Sequence, residues 1–137
     1  MAEGIDQARL DALFTAALEA AIARIEKDGT FFPLVFELRA NGAIQNVAVL
    51  EIGAIEGAQG VLDRLADVIR PRAADGTIRA AAIVRHRTDA ATIEVRLRAA
   101  NYAADVLVPI ASSGLLGHQR QLTLGSFTAR PAANDLF

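Results

Sequence analysis

Two runs in which apolar and polar positions tend to alternate extend from Leu34 to Glu51, on either side of the dipeptide Asn41-Gly42. A period of two predicts β-strands buried on a single face, and Asn-Gly readily adopts the positive φ angles of a tight hairpin. Folding the chain about a two-residue turn places Phe36 opposite Val47, with Glu37 on the other side of the pair. The segment is therefore predicted to form an antiparallel hairpin with one apolar and one solvated face.

Two stretches carry the three-to-four-residue apolar spacing of amphipathic helices. The first runs from Ile5 to Asp28, where Asp6 can cap the start and Gly29 can end the helix. The second runs from Val61 to Ile69. Pro71 is expected to stop it, because proline disrupts the interior of a helix.

The second half of the chain alternates again and predicts a meander of three or four strands. A loop from Arg72 to Gly76 leads into it, and the turns are expected at Asp89-Ala90 and Ala100-Asn101. Leu122 and Leu124 indicate a final strand. The tail from Pro131 to Phe137 is expected to dock against the body of the domain.

The order helix, hairpin, helix, meander predicts a single α+β domain spanning residues 1–137. We expect two layers, with two helices packed on one face of a mostly antiparallel sheet of five or six strands. A chain of 137 residues is large enough to bury a core without a metal ion or a disulfide.

Composition limits the function classes. The net charge is -2 and the mean hydropathy is +0.29, with no apolar run of about 20 residues, so neither nucleic acid nor membrane is expected as a partner. The first residues lack the basic and apolar segments of a secretion signal, and cysteine is absent. A cytoplasmic protein is therefore expected.

Arginines on the strands form the main candidate site. The predicted turns place Arg85 opposite Glu94 and Arg96 opposite Asp105, as cross-strand ion pairs. Such a face could bind an anionic ligand or an acidic partner, or it could be a set of solvated ion pairs. Its apolar members, Ile83 and Leu107, also fit an oligomer interface. The candidate binding residues are Arg79, Arg85, Arg87, Arg96 and Arg98.

The two histidines are the main candidates for chemistry. His86 lies on the apolar side of its strand, where it could act as a base or simply be a half-buried structural residue. His118 follows Ser112 and Ser113, but the Gly-x-Ser-x-Gly elbow is absent. Two histidines without cysteine predict no metal site, and no catalytic residue or cofactor is predicted.

The remaining polar motifs have structural explanations. The loop Gly53–Gly60 lies between a strand and a helix but lacks the residues of a phosphate-binding loop. Asp63 and Asp67, with Arg64 and Arg70 nearby, fit an exposed helix face.

The sequence favours a non-catalytic protein-interaction domain that acts as a homo-oligomer, most simply a dimer, through the outer sheet face or an edge strand. One alternative is a small-molecule-binding protein or an unassigned enzyme with a pocket between helices and sheet, because Ala80, Ala82 and Ala104 leave room there. Another is an adaptor whose arginines meet an acidic protein partner.

Overall fold

A computed structural model describes residues 7–29, 34–47, 66–67, 69–87, 90–100, 102–113, 121–134 and 136–137. These residues contain helix α1 (Gln7–Asp28), a second helical segment at 66–67 and 69–74, and seven strands. The strands are β1 (Leu34–Arg39), β2 (Ile44–Val47), β3 (Ile78–Arg87), β4 (Thr92–Ala99), β5 (Tyr102–Ser113), β6 (Gln121–Leu124) and β7 (Thr128–Pro131).

The strands form one sheet in the order β2-β1-β3-β4-β5-β6, with β7 also paired to β5. Every described pair is antiparallel. The α+β class, with helices packed on an antiparallel sheet, is confirmed.

Helix α1 covers one side of the sheet, called here the α1 face. Leu13, Ala17 and Ala21 of α1 are fully buried against it. Small alanine side chains from both the helix and the sheet, such as Ala17 and Ala82, line this contact. Alternate side chains of the central strands form the sheet side of this core: Phe36, Ala80, Ala82, Val84, Val95 and Leu97.

The second helical segment packs on the opposite side of the sheet, the outer face, instead of joining α1. Its residues Ala66 and Ile69 share a buried cluster with Val35 and Ile83. Side chains of a strand alternate between faces, so Val35 points away from the side occupied by its neighbour Phe36. The two helical segments therefore cover different faces, and Ile83, expected beside exposed charges, is buried.

Pro71 does not stop the second helical segment, which continues to residue 74. Proline lacks an N–H donor but keeps its carbonyl acceptor, and the N–H of Asp75 donates to the Pro71 oxygen at 3.0 Å. The predicted loop at 72–76 is thus partly helical. Arg72 lies in this helical turn, over the outer face of β1.

The hairpin forms at the predicted place with a different register. Phe36 pairs with Asn46 instead of Val47, and Leu38 pairs with Ile44. The turn contains three residues, because Arg39 donates to the Ala43 oxygen at 2.8 Å and Gly42 takes the positive φ of +92°. A one-residue shift moves each residue of β2 to the other face, which places Ile44 on the α1 face.

The meander has the predicted registers. Arg85 pairs with Glu94 across β3 and β4, and Arg96 pairs with Asp105 across β4 and β5. The registers expected from the two predicted turns are therefore confirmed, whereas Asp89 and Asn101 of those turns lie outside the described residues.

The far edge of β5 pairs with two short strands separated by a bulge. Residues 110–113 pair with β6 and residues 104–107 pair with β7. Three residues, 125–127, stand opposite two on β5, and the N–H of Gly125 keeps a bond to the Pro109 oxygen at 2.8 Å. The expected strand at Leu122 and Leu124 is confirmed as β6, and β7 is an additional strand.

The last residues return to the sheet and lie on the outer face. Asn134 donates its side-chain N–H to the Ala99 oxygen at 2.6 Å. Leu136 is buried in the cluster that holds Ile69 and Ile83. The chain end thus docks, as expected from its sequence.

Candidate anion-binding surface

Three arginines surround one carboxylate on the outer face of β3 and β4. We call Arg85, Arg87 and Arg96, together with Glu94, the arginine cluster. Two cluster arginines donate their Nε–H groups to the same oxygen, Oε1 of Glu94, at 2.7 Å for Arg85 and 3.1 Å for Arg96. The third, Arg87, has Nη1 4.0 Å from Glu94 Oε2.

The predicted ion pair between Arg85 and Glu94 is present, whereas Arg96 pairs differently. Arg96 stands opposite Asp105 in the register but donates to Glu94, two residues away on its own strand. Glu94 is almost fully buried and Asp105 is not, so the buried carboxylate has the greater need of a counter-charge.

Asp105 instead lies beside Arg98, with 2.9 Å between its Oδ1 and the arginine Nη1. Arg98 is buried and donates that nitrogen to the backbone oxygens of Leu97 and Ala104. Its guanidinium is thus directed into the sheet. Its charge is balanced by Asp105, so Arg98 is not a member of the cluster.

The other predicted member, Arg79, lies apart from the cluster. It is exposed and stands six positions before Arg85 on β3, about 20 Å away at the rise of a strand. Arg130 on β7 is a further cation that the sequence pattern does not indicate: it pairs in register with Asp105 and is exposed.

The positive charges of the arginine cluster outnumber its negative charges. Burial would raise the pKa of Glu94, but the charges of Arg96 and Arg85 and their hydrogen bonds outweigh burial and lower it below its ordinary value of 4.5. Glu94 therefore stays ionised at neutral pH. One carboxylate then faces three guanidinium groups, which leaves the cluster with a net positive charge.

This electrostatic arrangement predicts a specific pH dependence. A carboxyl group whose pKa is lowered in the folded state stabilises the fold above its unfolded pKa, and this contribution is lost as pH falls through the folded pKa. Glu94→Gln should be less stable than the wild type at neutral pH, and the difference should shrink in acid, where both side chains are neutral. Urea unfolding across a pH series measures this difference. A difference that stays constant into acid would show that Glu94 is not the stabilising charge.

A second buried carboxylate, Glu37, was expected on the solvated side of the hairpin. It is fully buried and accepts two bonds from Arg72, at 2.8 Å from Nε and 2.7 Å from Nη2. Arg39 adds a contact at 3.6 Å. The burial arises because the second helical segment covers this part of the outer face, which alternation along β1 cannot reveal.

His86 lies on β3, paired in register with Ile93, and it is half-buried. Burial lowers the pKa of its imidazole below the ordinary value of 6.5. The neutral form is therefore favoured at pH 7, which suits a structural residue on an apolar face. His118, the loop Gly53–Gly60 and Asp63 lie outside the described residues.

Two further observations bear on the function class. Within the described ranges, no group of three or more histidine, cysteine, aspartate or glutamate side chains could hold a metal ion. No helix in the described part of the chain has both the length and the apolar character needed to cross a membrane.

Comparisons with protein-family models, with curated proteins and with solved structures find no significant match to this chain. The geometry of the chain's own residues is therefore the basis for inferring a function.

Proposed function

We propose that this chain is a non-catalytic protein-interaction domain that docks an acidic protein partner through the arginine cluster. The observation that carries the proposal is the convergence of three partly exposed guanidinium groups on one buried carboxylate. The exposed fractions of the side chains are 19% for Arg85, 33% for Arg87 and 22% for Arg96. The cluster is thus accessible but held in place.

Arginines that are held in position before a partner arrives favour binding. An arginine that is already positioned loses less side-chain freedom when a partner arrives, so more of the interaction energy remains as affinity. Glu94 supplies that positioning, because it fixes Arg85 and Arg96 through their Nε atoms. Among the described residues, the terminal Nη donors of both arginines have no other hydrogen-bond partner, so they can donate to carboxylates of another protein.

Self-association through the same face is less favourable. Two copies meeting there would bring like charges together. We retain the homo-oligomer as a separate proposal for another surface, and sedimentation velocity at high micromolar concentration tests it. A dimer would support it and a monomer would remove it.

The β7 edge is a poor surface for such a dimer. The N–H of Ala132 donates inward to the Ala103 oxygen at 3.1 Å. Inward and outward residues alternate along an antiparallel strand, so Pro131 occupies an outward position, where it has no N–H to offer. Proline at such a position protects an edge from pairing with another strand.

Binding to a labelled oligo-glutamate peptide, followed by fluorescence anisotropy, tests the acidic-partner proposal. We expect salt-sensitive binding that weakens about tenfold or more in Arg87→Glu, since reversing one of three clustered charges replaces attraction by repulsion. Arg87 is the suitable site because its contact with Glu94 is the longest of the three.

Arg79→Glu is the matched control, an identical charge change on the same strand but outside the cluster. It should leave most of the affinity intact. No salt-sensitive binding by the wild type, or equal losses in both variants, would overturn the proposal.

A further inference from the structure

We infer that the arginine cluster recognises a phosphoryl group on a phosphorylated segment of a partner protein. The inference rests on the proposed function and makes it more specific, because it distinguishes a phosphoryl group from an ordinary acidic side chain. Three features of the cluster carry it: its net charge, its unused donors and its position.

The first feature is charge. Three guanidinium groups against one ionised carboxylate leave about two positive charges in a small, half-buried region. A phosphorylated side chain carries about -1.5 to -2 charges near neutral pH, whereas a glutamate carries only one. A phosphoryl group therefore neutralises the cluster, and a single carboxylate leaves part of it uncompensated.

The second feature is the donor arrangement. Arg85 and Arg96 both donate Nε–H to the same oxygen of Glu94, so their guanidinium groups lie close together. Among the described residues, neither guanidinium makes another hydrogen bond, so the Nη groups can donate to a ligand. A carboxylate has two oxygens, enough for one fork, whereas a phosphoryl group offers three oxygens and can accept from neighbouring forks together.

The third feature is position, which favours a protein segment over a membrane or nucleic acid. Arg85 and Arg96 are only about one-fifth exposed and lie within a sheet face, so a projecting side chain reaches them more readily than a flat bilayer. Lys27 is the only lysine, and the whole chain carries a net charge of -2. Membranes and nucleic acids present extended phosphate surfaces, and these usually bind broad basic surfaces instead.

A set of three labelled peptides tests the inference with the full chain. The peptides share one acidic sequence and carry serine, glutamate or phosphoserine at the central position. We expect the phosphoserine form to bind about tenfold more tightly than the glutamate form, because it adds charge and acceptor oxygens. Inorganic phosphate should compete with it.

Arg96→Lys is the informative variant, since lysine keeps the charge next to Glu94 but lacks the fork. It should lose about tenfold in affinity for the phosphoserine peptide and much less for the glutamate peptide. Arg79→Lys is the control and should change neither affinity. Thermal unfolding of each variant verifies that the fold is intact, and Arg87→Lys repeats the test at the most exposed member if Arg96→Lys is unstable.

The outcomes separate the two proposals. Equal binding of the glutamate and phosphoserine peptides would overturn the phosphoryl inference and leave the acidic-partner proposal standing. No binding of any peptide would overturn both. Tighter binding to vesicles containing a phosphoinositide than to the phosphoserine peptide would overturn the protein source and assign the cluster to a lipid headgroup.

Discussion

Replacing Arg72 with alanine is expected to lower the free energy of unfolding by about 3 kcal/mol, because the fully buried Glu37 loses its bidentate partner. A carboxylate left in the interior without a counter-charge is strongly unfavourable, because burial removes its hydration. Arg39, at 3.6 Å, offers only partial compensation. Arg72 itself is about one-third exposed, which places the expected loss at the lower end of the range for buried pairs. Urea unfolding measures the change.

Arg70→Ala is the matched control for this prediction. Arg70 lies in the same helical segment, but its ion pair with Asp67, at 2.6 Å, joins side chains that are 49% and 72% exposed. The loss there should stay within about 1 kcal/mol. The double variant Glu37→Gln/Arg72→Met should recover part of the stability lost in Arg72→Ala. Equal losses in Arg70→Ala and Arg72→Ala would contradict the role assigned to Glu37.

Leu13→Ala is expected to lower the free energy of unfolding by about 3 kcal/mol. Leu13 is fully buried in the core cluster between α1 and the sheet. Truncation removes its apolar contacts and leaves a cavity, because the helix and the strands cannot both close around the missing atoms. Denaturant unfolding with an unchanged m-value would attribute the loss to packing alone.

The control is the same chemical change at Leu124, a residue of β6 that is 36% exposed. Less apolar area is lost there and the surface can relax, so the cost should be about 1 kcal/mol or less. A Leu13→Ala protein as stable as Leu124→Ala would argue that α1 does not form the main core.

Elements governed by local signals could be predicted from the sequence. Helix α1 ends where Gly29 takes a positive φ of +86° and donates to the Ile25 oxygen at 2.8 Å, as a C-terminal glycine predicts. The meander registers follow from short turns between strongly alternating strands. Because these registers are local, the pairing of Arg85 with Glu94 could be derived from turn position alone.

The predicted register of the hairpin was wrong, and the reason also lies in local sequence. A turn of only Asn41 and Gly42 is too short, because Ala40 also belongs to the turn, and Gly42 alone of the three residues adopts a positive φ. β7 was missed because its four residues are all exposed and show no apolar alternation. Periodicity identifies strands only through the side chains they bury.

The geometry of the candidate site depends on tertiary contacts, which the apolar periodicity of the sequence does not reveal. The helical turn containing Arg72 crosses the outer face and buries Glu37, which converts a predicted solvated position into a buried charge. Arg96 could be placed on the correct face, but its choice of Glu94 over Asp105 follows from their different burial. Burial of this kind is set by elements distant in the sequence.

The most direct test of the docking surface is an NMR titration that follows the arginine Nε–H signals as the phosphoserine peptide is added. The arginine cluster predicts shifts at Arg85, Arg87 and Arg96, saturating together with the neighbouring amides of β3 and β4, while Arg79 stays unchanged. Shifts confined to other parts of the chain, or none at saturating peptide, would contradict the assignment of the outer face as the binding surface.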